Sequence, residues 1–204
     1  LPLYSNNFSY SLSVKIIEIL NIVFGKSKKI SFNKIEQLGH PLVTTFYPQK
    51  NESKKQMCII QCAFFGAGNS FLRSFLLKDI KFNMSYEFGY AEDGDFGMQI
   101  RNRGYDVIYL PEPAILHLKA PMGGFRTKPK LDWHEESIAP KPSPTVMLFA
   151  LLHKTNQQLL GYKTTLFFKY YRLQSIKNPF AYYKMFQKQW AVSMKWAKIL
   201  KERQ

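Results

Sequence analysis

The sequence has little cysteine and, toward its end, almost no acid. Two cysteines among 204 residues cannot build a disulfide framework. Cys58 and Cys62 stand four apart with no further ligands in their pattern. They read as small buried fillers of a strand rather than a metal site, and they fit a reducing compartment. The longest apolar run, Val146 to Leu152, has seven residues, against the ~20 that a membrane-spanning helix needs. No internal repeat is visible. No basic, apolar, small-residue leader follows Leu1, so the chain is expected to begin inside a longer protein.

What is present is globular in composition. Apolar residues make up 46% and charged residues 21%, which excludes wholesale disorder and collagen-like repeats. The net charge of +15 calls for an anionic partner: nucleic acid, phosphate or a membrane surface. That charge is uneven. Residues 141–204 carry 12 Lys and Arg against the single acid Glu202, a net of +11, and residues 1–140 supply only +4.

The pattern of apolar residues and breakers orders the chain. Residues 13–25 read as a short amphipathic helix ended by Gly25, and Val43–Tyr47 as a strand. Met57–Phe65 is nearly continuous in apolar residues, which predicts a buried strand. Gly66–Asn69 is a turn, after which Ser70 is placed to cap a helix running to about Ile80. Residues 92–104 predict a helix with acids in its first turn, Arg101 and Arg103 in its last, and Gly104 as its stop. Tyr105–Leu110 is a further strand and Ala114–His117 a short extended piece. Strand, helix and strand in this order predict a mixed α/β sheet. Prolines and glycines crowd residues 118–145. Beyond Pro144 the chain becomes helical, aromatic and basic, so an organisational boundary is placed between 1–144 and 145–204.

Three constellations could carry chemistry. Glu92-Asp93-Gly94-Asp95 opens a helix, where acids ordinarily satisfy free N–H groups and the helix dipole. The same place suits a general base, which must reach the hydroxyl it deprotonates. Gly89 and Gly94 would leave room there for a bulky substrate. His117 followed by Gly123, Gly124 and Arg126 offers an imidazole for a metal, backbone N–H groups, and a guanidinium that can grip phosphate; taken singly, each is as readily structural. Gly66-Ala-Gly-Asn-Ser-Phe-Leu-Arg73 lacks the third glycine of a dinucleotide fingerprint. It is either simple helix entry or a turn whose Asn69 and Arg73 line a site.

In this order and spacing, residues 66–73, 91–105, 109–114 and 117–126 resemble the C-terminal half of a family 2 glycosyltransferase with the GT-A fold. The match covers roughly residues 57–126. It implies an α/β chain, the C-terminal part of a Rossmann-like mixed sheet followed by a basic helical tail. It also implies a hexosyl-type, inverting transferase of cell-surface polysaccharide synthesis. Its donor would be a nucleotide-diphospho-sugar and its acceptor a glycan or lipid-linked sugar. By the resemblance, Asp93 is the catalytic base, and Glu92 and Asp95, with Asn69 and Arg73, hold the acceptor or brace the site. His117 would contact a divalent cation, Mn2+ or Mg2+, and Gly123, Gly124 and Arg126 would close over the diphosphate. The family's Asp-x-Asp metal motif has no counterpart, because Asp93-Gly94-Asp95 lies inside the Glu-Asp block. The nucleotide-binding half would therefore lie upstream of Leu1. The implied location is cytoplasmic, peripheral on the inner face of the cell membrane.

The tail has its own signal. From about Pro179 to Glu202, the residues Phe180, Tyr183, Phe186, Trp190, Met194, Ala197 and Leu200 recur at helical spacing, with lysines largely on other faces. Such a helix either packs its stripe on the domain or lies on anionic lipid. A basic nucleic-acid-binding module and an inactive structural remnant are the alternatives of other classes. No helix-turn-helix, zinc-knuckle or aromatic RNA-binding pattern supports the former, so no nucleic-acid partner is expected.

Overall fold

The computed structural model describes residues 37, 39–49, 53, 57–62, 65–112, 114–117 and 130–203. The helix read over 13–25 and the Gly123, Gly124 and Arg126 loop lie outside the described residues. The chain is mixed α/β, with a four-stranded mixed sheet and four α-helices among those residues. It divides into two compact units. One comprises Leu1–Ile80 with Gln99–Ala120, the other Lys81–Met98 with Pro121–Gln204.

The first unit holds the sheet. Its strands are β1 (Leu42–Thr45), β2 (Ile60–Cys62), β3 (Ser70–Leu72) and β4 (Val107–Leu110), in the order β2-β4-β1-β3. Every residue of β1 is buried, as are Val107, Ile108 and Leu110 of β4. These β-branched and apolar residues suit strands covered on both faces. The two central strands run parallel, with Val43 opposite Ile108 and Thr45 opposite Leu110. β3 is antiparallel to β1, and β2 is antiparallel to β4. Val43, Phe71, Ile108 and Leu110 form a small core, joined by Ile115. The piece 114–117 is extended as expected. Ile115 N–H donates to the Phe46 carbonyl at 2.9 Å, and His117 N–H to the Pro48 carbonyl at 2.8 Å.

Two expectations fail here. The Met57–Phe65 run does not make a buried strand. β2 covers three of its residues and pairs on one side only among the described residues, and Met57, Cys58, Ile59 and Ile60 are exposed. Cys58 is therefore no buried filler, and Cys62 is half-buried. An apolar run reports hydrophobicity, not which strands will flank it. The helix expected after Ser70 is also absent. The Asn69 amide donates to Thr44 Oγ1 at 3.2 Å and to the Thr45 carbonyl, and Thr45 N–H donates to the Asn69 carbonyl at 3.0 Å. These bonds lay the next residues alongside β1 as β3, so sheet pairing overrides helical propensity. Only a short 3-10 turn, Ser74–Lys78, follows.

Helix α1 (Glu92–Asn102) begins and ends where the sequence signals place it. Gly104, at φ +82°, supplies the left-handed residue that stops it. Its first turns belong to the second unit and its last to the first.

The second unit is helical. α2 (Pro144–His153) starts at Ser143, whose hydroxyl accepts from Val146 N–H, with Pro144 at the first turn. α3 (Asn156–Leu173) opens on a reciprocal Thr155/Gln158 capping box, and α4 (Pro179–Glu202) on Asn178, which accepts from Phe180 and Ala181 N–H at 3.0 Å each. α2 is apolar nearly all round and packs chiefly on α4. The shared core includes Tyr86, Trp133, Met147, Leu148, Phe186 and Trp190. Burying such side chains contributes about 1.5–3 kcal/mol each, so α4 is integral to this unit. Phe186, Trp190, Ala197 and Leu200 of its stripe are buried, with Tyr182 and Ser193 beside them. Phe180 and Tyr183 stay outside. No helix among the described residues is long and apolar enough to cross a membrane.

Candidate functional site

The acidic run opens α1 through a strained approach. Ala91, the residue before Glu92, sits at φ +83°, and Phe88 at φ +56°. Asp95 N–H donates to the Ala91 carbonyl at 2.9 Å, which starts the helical ladder. A side chain on a left-handed residue costs of order 1–3 kcal/mol and persists only where the surroundings hold it.

The holding element is one stripe of α2, where Thr145, Phe149 and His153 recur every four residues. Thr145 Oγ1 accepts from Tyr90 N–H at 3.0 Å, and a Cβ on Gly89 would stand 2.4 Å from Thr145 Cγ2. A Cβ on Gly94 would stand 3.2 Å from the Phe149 ring. His153 reaches Asp95, its Nε2 2.6 Å from Oδ1, and its ring lies 4.9 Å from that of Phe149. The space beside Gly89 and Gly94 is thus filled by α2. The two glycines serve close packing and do not leave room for a substrate, as the sequence suggested.

The three carboxylates are placed differently. Asp95 is inside. Its side chain is 5% exposed and that of His153 10%, and the Tyr86 hydroxyl donates to Asp95 Oδ1 at 3.4 Å. Burial first, then the charge of Asp95 and the bond to it, push the Tyr86 phenol well above its ordinary value, so it stays a donor. Glu92 is half-buried. Its burial raises its carboxyl above the ordinary value, a backbone hydrogen bond opposes this, and the charge of Asp93 adds to it. Asp93 is half-buried at the same helix start.

The other sequence candidates lie in the first unit. Asn69 is buried and its amide donates to Thr44 and Thr45, so it ties the turn that leads into β3 onto β1. Arg73 is exposed, and its backbone N–H donates to the Pro41 carbonyl at 2.8 Å. The His117 imidazole stacks on Tyr47, with ring centres 4.4 Å apart and planes 11° from parallel. Tyr47 in turn abuts the turn at Gly68, where a Cβ would meet its ring at 2.9 Å. The fold therefore brings the Gly66–Asn69 turn and His117 to one place through Tyr47. It brings Glu92, Asp93 and Asp95 to another, beside Tyr86 and His153. Among the described residues no three His, Cys, Asp or Glu side chains gather as a metal-ion donor set.

Sequence reasoning does not single out Tyr86, Thr145 or His153. The one available signal is the four-residue spacing of Thr145, Phe149 and His153, a polar-aromatic-polar stripe on an otherwise apolar helix. No family model, curated protein or solved structure matches this chain.

Proposed function

We propose that the chain is the acceptor-side part of an inverting family 2 glycosyltransferase of the GT-A fold. It would move a sugar from a nucleotide-diphospho-sugar to a glycan or lipid-linked acceptor. The observation that carries the reading is the ordered run of four sequence blocks, whose Glu-Asp block opens a helix followed in the chain by a central strand of a mixed sheet. An acidic group at a helix start is well placed to act as a base, since the surrounding backbone N–H groups orient it.

In this reading the acceptor hydroxyl attacks the anomeric carbon opposite the departing nucleoside diphosphate, and Asp93 takes its proton. Asp95, held by His153 and Tyr86, fixes the helix start that carries Asp93. Glu92, half-buried beside Asp93, would meet the acceptor; Arg73 and Asn69 of the first unit are assigned to acceptor binding from the sequence resemblance alone. Gly123, Gly124 and Arg126 are assigned to the diphosphate from the sequence resemblance. A bound Mn2+ or Mg2+ would neutralise charge on that leaving group, and of the described residues the proposal offers it His117 alone.

The test is release of nucleoside diphosphate by the whole gene product from a panel of nucleotide-sugars, with and without glycan acceptors. Asp93→Asn is expected to lower turnover about 10²–10⁴-fold with donor KM little changed. Turnover at the parent rate would reject the assignment of Asp93. No turnover of any donor by the parent protein would reject the enzyme reading.

A further inference from the structure

Beyond the transfer reading, the second unit carries large apolar side chains that stand outside its core. α3 and α4 leave an open groove of 380 Å³ between them, walled by Leu160, Phe167 and Phe168 on one side and Tyr183 and Phe186 on the other. Phe167 orders the wall: its ring centre lies 5.3 Å from Phe168, 6.2 Å from Tyr183 and 5.4 Å from Phe186. The rim is apolar and in water. Leu160 is 65% exposed, Phe168 58%, Tyr183 54% and Phe180, one turn before Tyr183, 79%. Clustered exposure of large apolar groups, unlike scattered exposure, marks a surface that meets something.

The charge beside the groove narrows the occupant. Lys163 stands in its wall, donating to Gln187 at 2.8 Å and lying 5.3 Å over the Trp190 ring. Lys184 and Lys188 are exposed one and two turns beyond Phe180 on α4. Glu202 is the only acid in residues 141–204. A second copy of the chain would bring like charge to like charge, which disfavours self-association. A nucleic acid would use aromatic faces and lysines but has no partner for the aliphatic Leu160. An anionic bilayer uses all three: aromatics at the interface, an aliphatic group below it, and lysines at the headgroups. We propose that the α3–α4 groove, together with the exposed Phe180, Lys184 and Lys188 of α4, docks the protein onto anionic phospholipid. The helices lie on the bilayer rather than crossing it. Of the stripe seen in the sequence only its first members, Phe180 and Tyr183, are exposed on this side, whereas Phe186, Trp190, Ala197 and Leu200 are buried within the unit.

The experiment is sedimentation of the full chain with vesicles of phosphatidylglycerol mixed into phosphatidylcholine, and with phosphatidylcholine alone. Binding is expected to the anionic vesicles and not to the neutral ones. Lys184→Gln with Lys188→Gln should lower the partition coefficient about 25-fold, from about fivefold per lysine. Phe168→Ser with Phe180→Ser should lower it about tenfold or more. These side chains are exposed, so the variants should unfold at the parent's urea concentration. Three results would overturn the proposal. One is no binding of the parent to anionic vesicles. Another is binding that the lysine pair weakens and the phenylalanine pair leaves untouched. The third is an RNA mobility shift or a dimer in ultracentrifugation that is lost with the phenylalanine pair while vesicle binding persists.

Discussion

Replacing His153 by Leu tests how the acidic helix start is held. The change keeps an apolar body against Phe149 and deletes the bond at 2.6 Å to Asp95. Both side chains are nearly out of water, at 10% and 5% exposure, so solvent cannot take over. Breaking a buried pair by removing one partner costs about 3–5 kcal/mol. Asp95 also lies in the first turn of α1, where the helix dipole returns about 1 kcal/mol. The expected loss is therefore about 3 kcal/mol, or roughly 6–12 °C in Tm for a chain of this size. Trp133, Trp190 and Trp196 are the only tryptophans and all lie in the second unit, so urea unfolding followed by tryptophan fluorescence reads that unit directly. In a double-mutant cycle, Asp95→Asn should recover part of the loss in the His153→Leu background, because no charge is then left behind. A loss below about 1 kcal/mol, or losses that simply add, would refute the buried clamp.

The same assay reads two further changes. Ala91→Gly removes a left-handed alanine that costs roughly 1–2 kcal/mol, offset by about 0.4–1 kcal/mol for the freer unfolded glycine. A higher unfolding midpoint is expected, and a lower one would show that the alanine methyl is needed for packing. Gly89→Ala drives a Cβ to 2.4 Å from Thr145 and should cost about 1–3 kcal/mol; a neutral result would mean the loop moves off α2 at little cost. Glu92 supplies a pH signature. Its folded carboxyl is raised above the ordinary 4.5, so above that pH the folded state binds more protons than the unfolded one. Stability attributable to Glu92 is then present at lower pH and lost as pH rises through the window above 4.5. Glu92→Gln should flatten that decline, and an unchanged pH slope would remove Glu92 from it.

What could be read from the sequence was whatever neighbouring residues decide. The acids at 92–95 and Gly104 bracket α1, Asn178-Pro179 opens α4, and Tyr105–Leu110 contains β4, because caps, breakers and β-branched runs act within a few residues. The failures are long-range. Ser70–Leu72 becomes a strand through bonds that Asn69 makes to residues 24 and 25 positions away. Ile60 lies at a sheet edge because of which strands pair, and no local pattern encodes that. His153 and Asp95 are 58 residues apart, and the glycines at 89 and 94 read as open space because their filler comes from α2. Within the candidate site the identities of the acids were legible, but the division of labour between buried Asp95 and its neighbours was not.

The clamp also decides how the basic tail can be studied. Deleting residues 178–204 would remove Tyr182, Phe186, Trp190, Ala197 and Leu200 from the core they share with Met147 and Leu148 on α2. α2 in turn carries Thr145, Phe149 and His153, the residues that hold the segment from Gly89 to Asp95. A truncated chain would therefore lose vesicle binding and the acidic helix start together, for one structural reason. Loss of activity in such a chain would say nothing about lipid. Only substitutions on the exposed rim separate the two: Phe168 and Phe180 are 58% and 79% exposed, so changing them should weaken docking about tenfold or more and leave the His153–Asp95 coupling energy intact.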